Sequence, residues 1–268
     1  MRNGSRDRRA APPIIDRRDE RQLPSGTQDF VSLVSDFMYV DKSPLIAHLC
    51  NRRGVTLFCR PRRFGKSCAQ DMVRCFLEAP VAGWIEDRAA LIGGLAVQGS
   101  GGRTVRERGR HPVISLSLDG CDKQTYEGAL EMIAGIVAEE YVRHAYLLES
   151  SKMPRMLPLQ REQYGRLASG APKDEAELTL SLSLLSTLLA GHHGSKTVIL
   201  IDEYDAPLIG GYLYGYRDRI VSFYQGWLIV RVVVPSEESR RVLSSRLPTQ
   251  SMPPSWQVSG VGVNPGAD

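Results

Sequence analysis

No stretch of this 268-residue chain holds the roughly 18 consecutive apolar residues that a membrane-crossing helix needs, so neither a transmembrane helix nor a membrane partner is expected. The first residues are polar and Arg-rich and carry no apolar core, which gives no secretory signal. Asp7, Asp16, Asp19 and Glu20 argue against a mitochondrial presequence. An intracellular, cytoplasmic location is the expectation. Cysteine is sparse and unpatterned: Cys50, Cys59, Cys68, Cys75 and Cys121 are odd in number and form no C-x-x-C pair, which argues against a disulfide framework or a zinc site. Charge of one sign is also in short supply, with 34 Lys and Arg against 30 Asp and Glu and a net charge of +4. A phosphate ligand, a nucleic acid and a plain soluble surface all suit that balance, so charge alone gives no support for nucleic-acid binding. No internal repeat is present.

What remains is an ordinary globular composition, 42% hydrophobic and 24% charged, long enough for one sizeable domain or two small ones. Within it one stretch stands out: Val55-Thr56-Leu57-Phe58-Cys59-Arg60-Pro61-Arg62-Arg63-Phe64-Gly65-Lys66-Ser67. An apolar run stops at a loop that ends in Gly-Lys-Ser, and helical patterning follows. That is the layout of a phosphate-binding loop between a strand and a helix. Far along the chain, Val198-Ile199-Leu200-Ile201-Asp202-Glu203 reads as a buried strand that delivers two carboxylates to its C-terminal edge. Together these suggest binding of a nucleoside triphosphate with Mg²⁺.

Each residue type has a physical task. Backbone N–H groups of the loop (Arg60, Pro61, Arg62, Arg63, Phe64, Gly65) and of the first helical turn (Lys66, Ser67, Cys68) would face phosphate oxygens, proline having none to give, with the helix dipole behind them. Gly65 allows close approach, and Lys66 would reach the β- and γ-phosphates as a point charge. The Ser67 hydroxyl would sit on Mg²⁺, which Asp202 would hold directly or through water. Glu203 is the candidate to orient or deprotonate an attacking water. The full pattern G-x-x-x-x-G-K-S/T is not met, because Arg60 occupies the first glycine position. The plainer reading is a basic surface turn and an unrelated strand that ends in a solvated acidic pair.

The surrounding words narrow the choice. Leu23-Pro24-Ser25-Gly26-Thr27-Gln28-Asp29-Phe30, Tyr39-Val40-Asp41-Lys42-Ser43, Arg60 to Ser67 and Leu200-Ile201-Asp202-Glu203-Tyr204-Asp205-Ala206-Pro207-Leu208 follow in that order. The chain resembles the AAA-ATPase-like family, whose members carry G-x-x-D-F, Y-V-D-K-T, R-P-R-R-F-G-K-S and L-I-D-E-Y-D-x-P. His111 to Leu116 is similar to that family's middle strand, and the resemblance spans roughly residues 22 to 228. It implies that Arg60 is normal at its position, and that Lys66 and Ser67 are the phosphate and Mg²⁺ residues. It also implies that Asp202 and Glu203 form the second nucleotide motif and that the nucleotide is ATP. No base-reading guanine motif is evident. An arginine finger from a neighbouring subunit is implied too, and with it self-association.

Similar proteins often carry a restriction-endonuclease-like nuclease domain, which nothing here matches. From about Ile229 the likeness is lost: where relatives continue with another core strand and a polar sensor residue, this chain runs Pro235-Ser236-Glu237-Glu238 and on to Pro253-Pro254. That departure reads as a truncation or a misread frame, and it bears on hydrolysis more than on binding.

The fold expectation is an α/β, P-loop NTPase-like parallel sheet with flanking helices and an incomplete C-terminal part. Residues 1–21 read as a disordered Arg-rich tail, 22–228 as the P-loop domain and 229–268 as a divergent tail. Ser43 is the expected N-cap of a helix that begins at Pro44. A strand over 55–59 and a helix over 66–78, with Met72, Val73, Phe76 and Leu77 on one face, form the first βα unit. Gly99 to Arg110 reads as a Gly/Arg loop, Val113 to Leu118 as a strand and Ala129 to Leu148 as helical. Residues 150 to 175 read as a loop or small insertion, Leu178 to Leu189 as an amphipathic helix, 197–201 as a strand and Tyr216 to Leu228 as a helix. Alternation of this kind makes a parallel sheet with its ligand at the strands' C-terminal ends.

Other candidates have plainer alternatives. His192-His193 lacks metal-ligand partners and reads as a solvated turn. Asp205 would support Mg²⁺ or cap the next helix. Tyr212, Tyr214 and Tyr216 could stack bases, though packing is the simpler role. Arg103, Arg106, Arg108 and Arg110 could track a phosphate backbone or form a solvated loop. Cys68, at a helix start where a thiol pKa can fall, also reads as a small packing residue. Three functional classes follow: an ATP-binding protein that hydrolyses ATP, a non-hydrolysing regulatory module of a nucleic-acid-processing system, and a non-functional fragment.

Overall fold

The computed structural model describes residues 26–51, 55–58, 64–80, 92–151 and 156–228. The expectations for the two tails, 1–21 and 229–268, and the loop residues Cys59, Arg60, Pro61, Arg62 and Arg63, lie outside the described residues.

At the centre are two parallel strands, β1 (Val113–Ser117) and β2 (Val198–Asp202), in register from Val113 opposite Val198 to Ser117 opposite Asp202. Side chains alternate across the sheet with period two. Ile114 and Leu116 join one core with Ile199 and Ile201 packed against it, while Val113 joins the other with Val198 and Leu200 packed against it. Both faces are covered, the arrangement that apolar strands of this kind require.

The smaller core gathers helices α1 (Phe30–Asp36), α2 (Pro44–Cys50) and α3 (Lys66–Leu77). The expected apolar face of α3 is present, with Met72, Val73, Phe76 and Leu77 all buried. Asp29 caps α1, its carboxylate accepting from Ser32 N at 2.7 Å. Ser43 does stand at the N-cap of α2 with Pro44 at the first position, but its hydroxyl makes no cap bond. It is fully buried and accepts from Val97 N at 2.9 Å instead, tying α2 to the 3₁₀ turn Ala96–Gly99. The short helix α4 (Gly102–Arg106) occupies part of the expected Gly/Arg loop.

On the opposite face lie α5 (Tyr126–Arg143), α6 (Pro158–Ala168), α7 (Glu175–Thr179), α8 (Ser181–His193), α9 (Ala206–Tyr214) and α10 (Arg217–Trp227). Helix α6 falls within residues 150–175, which read from the sequence as a loop or small insertion. Pro158 opens it, Leu157 N donates to Gln160 Oε1 at 3.0 Å, and buried Tyr164 and Leu167 hold it down. The Tyr164 hydroxyl donates to the Tyr141 carbonyl of α5 at 2.7 Å. The single helix expected over 178–189 is two, meeting at Leu180. His192 and His193 form the last turn of α8 rather than a solvated turn. They are partly buried, with Ser150 Oγ 2.6 Å from His192 Nδ1 and Tyr146 Oη 2.9 Å from His193 Nε2.

The outer edge of β1 is closed by charge. Glu140 of α5 accepts from Ser115 N at 2.9 Å, and Arg143 donates to the Val113 carbonyl while pairing with Glu140 and Glu78. An exposed strand edge would invite further pairing, and inward-pointing charged side chains block it. Burial pushes the Glu140 carboxyl up, but hydrogen bonds from His144 and Arg143, with the Arg143 charge, outweigh it and hold the carboxyl at about 2.

A further expectation fails. The described part of the strand predicted over 55–59, Val55 to Phe58, carries no strand pairing, and Val55, Leu57 and Phe58 are exposed. A strand is defined by its ladder partner. Among the described residues the sheet holds β1 and β2 alone, with none beside this segment.

Candidate functional site

Three pieces of chain meet at the C-terminal edge of β2. The first is the start of α3. Gly65 is its N-cap at φ 72°, ψ 33°, a left-handed conformation that a Cβ would strain. The intrahelical ladder begins with Ala69 N donating to Gly65 O at 3.0 Å. The N–H groups of Lys66, Ser67 and Cys68 therefore have no intrahelical acceptor and lie at the positive end of a 12-residue helix.

The second piece is β2 itself. Alternation puts Asp202 on the same face as Val198 and Leu200, the face that α3 covers. The Ser67 hydroxyl donates to Asp202 Oδ2 there. The other carboxylate oxygen accepts from Glu203 N at 3.0 Å. Glu203 has φ 48° and is the only non-glycine at positive φ among the described residues. Holding a glutamate left-handed costs of order 1 kcal/mol, and strain of this kind concentrates at functional positions. The bend is fixed by Ala206 N donating back to Glu203 O at 3.0 Å.

The third piece is the turn before α2. Lys42 extends its ammonium to the loop glycine, so that a Cβ on Gly65 would lie 3.2 Å from Lys42 Nζ. The motif Tyr39 to Ser43 is legible as a word, but nothing in its pattern says that Lys42 folds against Gly65.

Of the predicted site residues, Gly65, Lys66, Ser67, Cys68, Asp202 and Glu203 fall on two adjacent chain ends, while Phe64 is exposed just before them. Cys68 is not activated by the helix start. Burial pushes its thiol up, Asp71 adds to this and Lys42 opposes it, while its S–H donates to Thr27 O at 3.3 Å. Asp205 stands at the N-cap of α9 without a side-chain cap bond. Tyr216 is buried, its hydroxyl donating to Lys123 O at 2.6 Å, whereas Tyr212 and Tyr214 are exposed.

The oxygen pair formed by Ser67 and Asp202 suits a hard cation. Mg²⁺ takes only one or two protein oxygens and completes its shell with phosphate and water, so a hydroxyl and one carboxylate are a fitting donor set. Among the described residues no cluster of three or more His, Cys, Asp or Glu could hold a metal ion by itself, and no helix is long and apolar enough to cross a membrane.

Residues 24–233 match the family model described as AAA-ATPase-like, predicted AAA-ATPase. No curated protein and no solved structure matches the chain.

Proposed function

This chain belongs to the AAA-ATPase-like family, and on that premise we propose that it binds ATP with Mg²⁺ and hydrolyses it to ADP and phosphate. Family membership supports nucleotide binding and a P-loop. The nucleotide's identity, the metal and the hydrolysis are our reading. The observation that carries it is the hydrogen bond from Ser67 to Asp202, which joins the start of the loop's helix to the end of a distant strand.

In this reading the N–H groups of Lys66, Ser67 and Cys68, which have no intrahelical acceptor, bind phosphate oxygens, and Lys66 supplies a charge to them. Gly65 provides the close approach, continuous with Phe64 and with the loop residues Arg60, Pro61, Arg62 and Arg63. Ser67 and Asp202 hold Mg²⁺, which would neutralise phosphate charge when bound. Glu203 orients an attacking water in line with the leaving oxygen and accepts its proton. Its strained backbone fixes the carboxylate's starting point at the strand end. Self-association that brings an arginine to the site belongs to the same reading. Nucleic acid is no part of it, since neither the mild net charge of +4 nor a described side-chain cluster argues for such a partner.

The test is phosphate release and thermal unfolding on the same preparations. MgATP should raise the unfolding midpoint of the wild type and of Glu203→Gln, while phosphate release disappears in Glu203→Gln. ATP-dependent stabilisation without phosphate release by the wild type would contradict hydrolysis and leave a nucleotide-binding module. No stabilisation at millimolar MgATP would contradict the reading as a whole.

A further inference from the structure

We propose that Lys42 is a second phosphate-binding cation of the nucleotide site, delivered from outside the loop; the proposal rests on the nucleotide reading above. Its ammonium lies against Gly65, at the N-terminus of α3 where the N–H groups without an intrahelical acceptor gather. Among the described residues it forms no ion pair with a carboxylate, and its side chain is exposed.

The turn that carries it is built to hold that position. Lys42 N donates to Tyr39 Oη at 3.2 Å, and the Tyr39 hydroxyl donates to the sulfur of Met72, in α3, at 3.3 Å. The Tyr39 ring packs edge-on against Phe30 at a centroid distance of 5.6 Å. On the other side, the Asp41 carboxylate accepts from Ser43 N and from Ala96 N, both at 2.7 Å. Ser43, fully buried, accepts from Val97 N at 2.9 Å. Lys42's own N–H is thus tied to α3 through Tyr39, and both of its chain neighbours, Asp41 and Ser43, are anchored to the segment 96–97.

A lysine whose only task is solubility needs no such support. A cation that must stand at a phosphate does, because ordering a long side chain on binding costs affinity that a fixed backbone partly recovers. Lysine is also the side chain suited to act as a mobile point charge against phosphate rather than as a planar fork. Lys66 comes from the loop's own helix and Lys42 from a separate segment. Two cations of different origin make binding sensitive to whether the turn at 39–43 is docked on α3.

The experiment is calorimetric titration of MgATP into wild type, Lys42→Met, Lys42→Arg and Lys196→Ala. Lys42→Met keeps the aliphatic stem, and the exposed position lets the unfolding midpoint stay at the wild-type value. Lys196 precedes the far, N-terminal end of β2 and controls for net charge. The expected result is a loss of roughly tenfold to a hundredfold in MgATP affinity for Lys42→Met, the range of one charge-assisted hydrogen bond. Lys42→Arg should recover part of it and Lys196→Ala should match the wild type. Wild-type binding with an equal affinity in Lys42→Met would overturn the role of Lys42 and leave the nucleotide reading standing. No binding by a folded wild type would overturn the nucleotide reading, and this proposal with it.

Discussion

The Ser67 hydroxyl donates to the Asp202 carboxylate, a contact between residues 135 positions apart. It joins the first turn of α3 to the last residue of β2 and brings a hydroxyl and a carboxylate oxygen to one point. Substituting either should weaken MgATP binding while leaving nucleotide binding without the metal less affected. We expect Ser67→Ala to lower affinity in the presence of Mg²⁺ about tenfold, equivalent to roughly 1.4 kcal/mol. Titration with and without EDTA checks this.

Glu203 offers a prediction in which stability and activity move in opposite directions. Its φ of 48° is one that glycine adopts without cost. Glu203→Gly should therefore raise stability by about 0.5–1 kcal/mol, less the entropy glycine adds to the unfolded chain. It should also abolish phosphate release. Chemical denaturation and a phosphate assay on the same variant read both effects.

Acid should unfold the protein through the edge of β1. The Glu140 carboxyl is held at about 2, below its ordinary 4.5. A carboxyl depressed on folding contributes stability that is full above its unfolded pKa and is lost as pH falls through the folded one. The loss therefore runs from about pH 4.5 down towards 2 and amounts to about 3 kcal/mol from this group. Glu140→Gln should be flatter across that window. Near neutral pH it should cost roughly 3 kcal/mol, because the partly buried Arg143 loses one of its two carboxylates. Denaturant midpoints measured against pH for both proteins test the sign and the window.

Gly210 sits where α9 crosses the loop after β1. A Cβ there would lie 2.9 Å from the Asp122 backbone and 2.5 Å from the Tyr216 hydroxyl oxygen. Gly210→Ala must displace backbone, so a destabilisation of about 1–3 kcal/mol is expected. A lowered unfolding midpoint with nucleotide affinity retained would match; an unchanged midpoint would not.

Much of the layout was legible because the sequence repeats its physics locally. The i, i+1, i+4, i+5 spacing of Met72, Val73, Phe76 and Leu77 marks one helical face, and both strands announce themselves as short apolar runs. Asp202 was placed at a strand end, and the strand does end there. Helix α6 was hidden because its inward face is little more than Tyr164 and Leu167, among Pro158, Gly165 and several charges. Glu140, Arg143 and His144 look like a solvated helix end. Only the pairing of β1 shows that they cover its edge. Val55 to Phe58 reads as a strand by composition, yet strand formation depends on a partner, which no local pattern encodes. Lys42 was invisible as a site residue for the same reason: its neighbour Gly65 is distant in sequence.

The central claim is that the start of α3 binds the phosphates of ATP. Calorimetric titration of MgATP into the purified chain, beside Lys66→Ala, tests it most directly. The account predicts saturable wild-type binding that Lys66→Ala weakens at least tenfold with its unfolding midpoint unchanged. A folded wild type that takes up no MgATP, or a Lys66→Ala protein that binds it equally well, would contradict the account.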